Sequence, residues 1–236
     1  MTGNTITWLG HATFKVVTGG GKTILIDPWV GGNPACPERE KVLSAVDLML
    51  ITHTHDDHVH DAIEIMQAFQ PTIVSAPEAG RWLTSHGAEK VKGMNKGGTQ
   101  VFDDVKITMV SADHSCGLVD DGVPGYGGEP VGYVVELEDG FTFYHAGDTN
   151  VFGDMALIGE LYSPDLALLP IGGHFTMGPV EAAKAVQLLK VPRVIGMHFG
   201  TMPILAGTPE QLRERLGDAA GVEIIALEPG ESITTK

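Results

Sequence analysis

The chain has 236 residues and a formal net charge of −15 at pH 7, from 30 acidic against 15 basic side chains. That balance argues against non-specific binding to nucleic acid or anionic lipid, although bound cations would reverse the charge locally for an anionic substrate. Two cysteines, Cys36 and Cys116, cannot build a disulfide framework; with no bilayer-length apolar run and no leader-like start, a cytoplasmic protein is expected.

Short, often β-branched apolar runs at residues 14–17, 23–26, 48–51 and 72–74 predict strands. Between 61 and 69, Ile63, Met66 and Phe69 recur on one face and predict a helix, and a weaker helix is expected at 81–86, stopped by Gly87. Strands follow at 105–110, 131–137 and 141–144. The glycine-rich segment 117–130 is expected to be irregular, either a functional loop or disordered. A strand at 166–169, a helix at 179–189 and a strand at 194–197 come next. A helix at 209–216 has Thr208 as N-cap, Pro209 in the first helical position and Gly217 as its stop, and a strand at 222–227 closes the series. Alternation with helices in places and hairpins elsewhere predicts an α/β chain with mixed sheets. No linker or composition break divides it, so a single domain over residues 1–236 is expected.

A faint internal repeat runs through this order. Phe14–Val17, a glycine turn, Thr23–Ile26 and Asp27 correspond to residues 132–137, Glu138-Asp139-Gly140, 141–144 and Asp148. An Asp-Leu strand start follows each copy, Asp47-Leu48 and Asp165-Leu166, so two similar sheets could pack face to face.

The strongest local signal is Thr52-His53-Thr54-His55-Asp56-Asp57-His58, which contains the pattern H-x-H-x-D-H between a predicted strand and a predicted helix. Imidazoles and carboxylates are the ligands that borderline divalent cations prefer, and such a crowd without a metal would be costly to desolvate. Four further predicted strands end in donors: His114, Asp148, His174 and His198. Ligands gather beyond the carboxyl ends of strands in open α/β sheets, and each of these residues lies at that end of its own strand.

The order H-x-H-x-D-H, a single His, Gly-Asp and a final His resembles the metallo-β-lactamase superfamily. The segments LIDP, THTHDDH, HAGDT and GGHFTMGP look most like its uncharacterised metal-dependent hydrolase branch, related to L-ascorbate-6-phosphate lactonases. The resemblance implies a four-layer αββα sandwich of two mixed β-sheets. It also implies two divalent metal ions, zinc first, with manganese, nickel or iron as alternatives. His53, His55 and His114 would hold one ion, Asp57, His58 and His198 the other, and Asp148 would bridge them. Asp27 would orient a ligand imidazole.

Two cations would activate a water between them as hydroxide, and Asp57 is the candidate for proton handling. His174 and Thr176 are candidates for donating to a developing oxyanion or leaving oxygen. His11 could line the pocket or be structural, and Cys116 is read as packing or loop. The short stretch between Asp148 and His198 leaves no room for the large domain of RNA-cleaving relatives, and the short tail after His198 no room for a glyoxalase-type helical domain. A small ester, lactone, amide or phosphoester substrate remains. A mononuclear non-haem iron enzyme acting on a sulfur compound and a non-catalytic metal-binding scaffold stay open as alternatives. The expected partner is a small-molecule substrate, with neither nucleic acid nor membrane; a homo-oligomer is left open.

Overall fold

The computed structural model of the chain describes residues 3–120, 122–217 and 221–235. The strands are β1 (Thr5–Trp8), β2 (Phe14–Val17), β3 (Thr23–Ile26), β4 (Leu48–Leu50), β5 (Thr72–Ser75), β6 (Val91–Gly93), β7 (Thr99–Phe102) and β8 (Val105–Ser111). After them come β9 (Gly117–Asp120), β10 (Val123–Tyr126), β11 (Val131–Glu136), β12 (Thr142–His145), β13 (Leu166–Pro170), β14 (Arg193–Met197), β15 (Glu223–Ile225) and β16 (Ser232–Thr234). The helices are α1 (Asp56–Val59), α2 (Ala62–Phe69), α3 (Pro77–Ser85), α4 (Met155–Tyr162), α5 (Pro179–Leu189) and α6 (Pro209–Leu216).

The chain divides into two compact units, residues 1–95, 115–130 and 228–236 in the first and 96–114 and 131–227 in the second. The first holds a seven-stranded sheet in the order β16-β1-β2-β3-β4-β5-β6. Pairing is antiparallel from β16 to β3 and parallel from β3 to β6. The second holds a seven-stranded sheet, β7-β8-β11-β12-β13-β14-β15, with the same succession of three antiparallel and three parallel pairings. The repeat in the sequence is thus a repeat of topology. It extends to single contacts: Asp47 N–H donates to Thr23 O and its carboxylate accepts the Thr23 N–H at 2.8 Å, and Asp165 does the same with Thr142, accepting its N–H at 2.9 Å.

In the first unit Leu25, Met49 and Ile73 pack in one cluster with Ile65 and Met66 of α2 and Leu83 of α3. In the second, Val134, Tyr144, Leu169 and Val194 pack with Ile158 of α4, Val186 and Leu189 of α5 and Leu212 of α6. Burying each large apolar side chain contributes about 1.5–3 kcal/mol. The bounds of β3, α5 and α6 coincide with the sequence expectation. In α6 the Thr208 hydroxyl accepts from Gln211 N at 3.3 Å, and Gln211 Oε1 accepts from Thr208 N at 3.1 Å.

Three differences from the sequence expectation have physical reasons. The helix expected at 81–86 begins earlier, at Pro77, because Pro at a first helical position costs no hydrogen bond. The segment expected to be irregular contains the β9–β10 hairpin, whose exposed Val119, Val123 and Tyr126 give no buried face to read; Asp121, inside it, lies outside the described residues. Helix α4 has no counterpart in the sequence expectation, since its MALIGELY sequence is broken by Gly159. That glycine lets α4 and α5 approach closely, because a Cβ there would lie 2.2 Å from the Leu189 carbonyl oxygen. Among the described residues no helix is long and apolar enough to cross a membrane.

Candidate functional site

In the first unit the donors sit where two parallel strands, β3 and β4, end at the same sheet edge. After β4 the chain bends at Thr52, is extended at His55 and then winds into the single turn α1, with His58 N–H and Val59 N–H bonded to His55 O. His53 Nε2 and His55 Nδ1 come to 3.0 Å. The turn then places Asp57 and His58 beside them, with the His53 and His58 ring centroids 4.1 Å apart.

Asp27 organises this cluster from the end of β3. It is fully buried and has a left-handed backbone (φ 49°). Its Oδ1 accepts Thr52 N–H at 2.8 Å, and its Oδ2 accepts the Thr52 hydroxyl at 2.7 Å and His58 Nδ1–H at 2.8 Å. Having donated its only hydrogen, the Thr52 hydroxyl accepts from His53 Nδ1–H at 3.0 Å. Both imidazoles are therefore locked as Nδ1–H tautomers, with the Nε2 lone pair presented. A separation of 3.0 Å between His53 Nε2 and His55 Nδ1 is near the ~3.3 Å that two nitrogens take around one tetrahedral zinc with ~2.0 Å bonds.

Asp57 carries its carboxylate at the partly exposed rim of the cluster, and its Oδ2 lies 2.9 Å from Nε2 of the buried His11. One ligating atom from each of His11, Asp57 and His58 lies within 4.8 Å of the others. Cys116 stands beside the same turn, its Sγ 3.4 Å from the Thr54 hydroxyl, which also donates to Gly117 O at 3.1 Å.

In the second unit β8, β12, β13 and β14 run in one direction and deliver His114, Asp148, His174 and His198 to one edge. Asp148 and His198 are buried, and Asp148 Oδ2 is approached by His198 Nε2 at 3.0 Å and by His114 Nε2 at 3.6 Å. Residues beside Asp148 tie its turn to the His114 turn. Thr149 Oγ1 accepts Asp113 N–H at 2.9 Å, and Asn150 donates N–H to Asp113 O at 2.9 Å and Nδ2–H to Asp113 Oδ2 at 3.3 Å.

The loop after β13 packs on this cluster's backbone. Met177 N–H donates to Thr149 O at 3.1 Å, and a Cβ on Gly172 would meet His198 O at 2.0 Å. His174 within it is exposed, left-handed (φ 61°) and edge-on to Phe175 at 4.4 Å. The Thr176 hydroxyl oxygen is buried with no hydrogen-bond partner among the described residues. His11, Asp27, His174 and His198 all have positive φ at or just beyond strand ends, a conformation that costs about 1–3 kcal/mol per residue and concentrates at functional sites.

The structure thus groups His53, His55, Asp57 and His58 in one unit and His114, Asp148 and His198 in the other. Each group is an all-imidazole and carboxylate donor set, the chemistry that fits a borderline divalent cation. Local spacing assigns no part to Thr52, Thr149 or Asn150 and leaves His11 open between lining the pocket and a structural place. Their parts depend on hydrogen bonds that local spacing does not encode.

The two sheets belong to one class of protein, the metallo-β-lactamase fold. A family model described as a β-lactamase superfamily domain matches residues 22–199. A UPF0173 metal-dependent hydrolase of Koribacter versatilis is 53% identical over 227 residues, covering 96% of each chain. One from Methanopyrus kandleri is 47% identical over 228 residues, covering 96% of this chain and 98% of its own. Among solved structures, the metallo hydrolase Igni18 of the hyperthermophilic archaeon Ignicoccus hospitalis superposes with a TM-score of 0.88 at 35% identity, over 100% of this chain and 99% of its own. The chain belongs to the UPF0173 metal-dependent hydrolases of the metallo-β-lactamase superfamily, and it is a metal-dependent hydrolase.

Proposed function

We propose that the two donor groups act together on two divalent cations, zinc foremost, and that the chain hydrolyses a small ester, lactone, amide or phosphoester. His53, His55 and His114 would hold one cation, Asp57, His58 and His198 the other, with Asp148 shared. The observation that carries this reading is the buried Thr52–Asp27 relay, which fixes the tautomers of His53 and His58 so that each presents a lone pair. The paired approach of His114 and His198 to one oxygen of Asp148 supports the second half.

Bound cations supply Lewis acidity toward water and toward a substrate oxygen. The chain's own residues do the rest. Asp57, at the rim with one oxygen held by His11, accepts the proton of the attacking water at its other oxygen, Oδ1. Thr176, with a buried hydroxyl that has no hydrogen-bond partner among the described residues, and His174 on the same loop donate hydrogen bonds to the developing oxyanion or leaving group. Cys36 and Cys116 are both free thiols, which supports a reducing, cytoplasmic setting.

The test is elemental analysis of protein made without added metal, then a panel of small esters, lactones, amides and phosphoesters run on native protein and Asp57→Ala. Two equivalents of a divalent metal and a hydrolytic activity lost in Asp57→Ala are expected. Equal activity in the two proteins would remove the role given to Asp57. One iron per chain with oxygen consumption would replace hydrolysis by oxidation.

A further inference from the structure

His11 belongs to no metal-ligand pattern in the sequence, yet several contacts build it into its place. It is fully buried and takes a left-handed backbone (φ 54°) directly after Gly10 (φ 98°). A turn closes around it through Leu9 N–H to Thr13 O at 2.9 Å and Thr13 N–H to Gly10 O at 3.1 Å. Trp8 Nε1–H donates to the His11 carbonyl at 2.8 Å, and the Trp29 ring lies edge-on to the imidazole at 5.1 Å. Thr13 Oγ1–H, on the same turn, donates to the Asp27 carbonyl at 2.7 Å. One strained turn is therefore fastened to Asp27 and aimed at Asp57.

A carboxylate only accepts, so the proton between His11 Nε2 and Asp57 Oδ2 at 2.9 Å belongs to the imidazole. The Asp57 side chain is 28% exposed against 0% for His11. Water can reach the Asp57 carboxylate, so the carboxylate itself does not need His11 in order to be satisfied. The effect of the contact is geometric, since it holds Oδ2 and fixes the direction in which Oδ1 points. We propose that His11 is a positioning residue for Asp57, committing Oδ2 to a protein hydrogen bond so that Oδ1 is held toward the cation and the water it serves. The proposal rests on Asp57 being a metal ligand, as set out above.

The experiment is a titration with Co2+, followed by calorimetry and visible absorption, on native protein, His11→Asn and His11→Gln, with thermal melts as a check of folding. Asn tolerates the left-handed backbone but its amide is too short to reach Asp57, whereas the Gln amide extends as far as Nε2. In His11→Asn one of two Co2+ affinities falls ~10–100-fold with a changed spectrum, and in His11→Gln both stay within a few-fold of native. Unchanged affinities in His11→Asn, or an equal loss in both variants, would overturn the proposal. Should a variant fail to fold, NMR of the native protein decides. A His11 Nε2–H that persists on Zn2+ loading supports the positioning role, and its loss on loading would make His11 a ligand and overturn it. If native protein binds no metal, or binds it equally with Asp57→Ala, the underlying reading fails instead.

Discussion

Asp27 and His58, 31 residues apart in the chain, are joined by a 2.8 Å hydrogen bond with both side chains fully buried. The bond decides which nitrogen of His58 faces outward, and the same carboxylate reaches His53 through the Thr52 hydroxyl. One buried acid at the end of β3 thereby sets two imidazoles on the turn after β4.

Removing that acid should cost stability and metal together. Asp27→Ala strands the buried Thr52 N–H and His58 Nδ1–H, at about 1–3 kcal/mol each. Metal affinity should fall ~10–100-fold. Urea unfolding and metal titration of the variant check both, and native metal affinity in a destabilised Asp27→Ala would separate Asp27 from the metal.

Within the second unit, His114→Ala and His198→Ala each remove an imidazole that approaches Asp148 Oδ2. Each should lower metal content as read by elemental analysis. Full retention in both would contradict the assignment of these residues as ligands.

The two cysteines should react at different rates. Burial pushes the Cys36 thiol up from 9.0 to about 11, partly offset by nearby Lys41, while Cys116 is half-buried beside Thr54. Iodoacetamide at pH 8 should label Cys116 first, as mass spectrometry of the intact protein would show. The sign for stability follows from linkage. The folded chain holds the Cys36 proton between about pH 9 and 11 while the unfolded chain has lost it, so this contribution is whole below pH 9 and disappears as pH climbs through that window. Denaturant midpoints measured across it in native protein and Cys36→Ala should converge toward high pH.

Gly159→Ala tests the close approach of α4 and α5. The new methyl would sit 2.2 Å from Leu189 O, so the helices must part, at about 1–3 kcal/mol, with metal content unchanged. A thermal melt and an elemental analysis of the variant read these two effects.

Much of this was legible in the sequence because the strongest signals were local. His53, His55, Asp57 and His58 lie in one seven-residue stretch, and α6 carries its own start and stop in Thr208, Pro209 and Gly217. The repeat was legible too, since Asp47 and Asp165 each cap the strand beside them in the same way. Helix α4 was not, because its apolar residues and Gly159 answer to the face of α5 rather than to a polar–apolar period. His11 was seen but had no assigned part, because its partner Asp57 is 46 residues away and the contact exists only once β1, β3 and β4 are in place.

The most direct measurement is anomalous diffraction from crystals of the zinc-loaded protein. Two zinc peaks are predicted, one bonded to His53, His55 and His114, the other to Asp57, His58 and His198, with Asp148 between them. Peaks confined to the residues of one unit, or lying away from these side chains altogether, would contradict the shared two-metal centre.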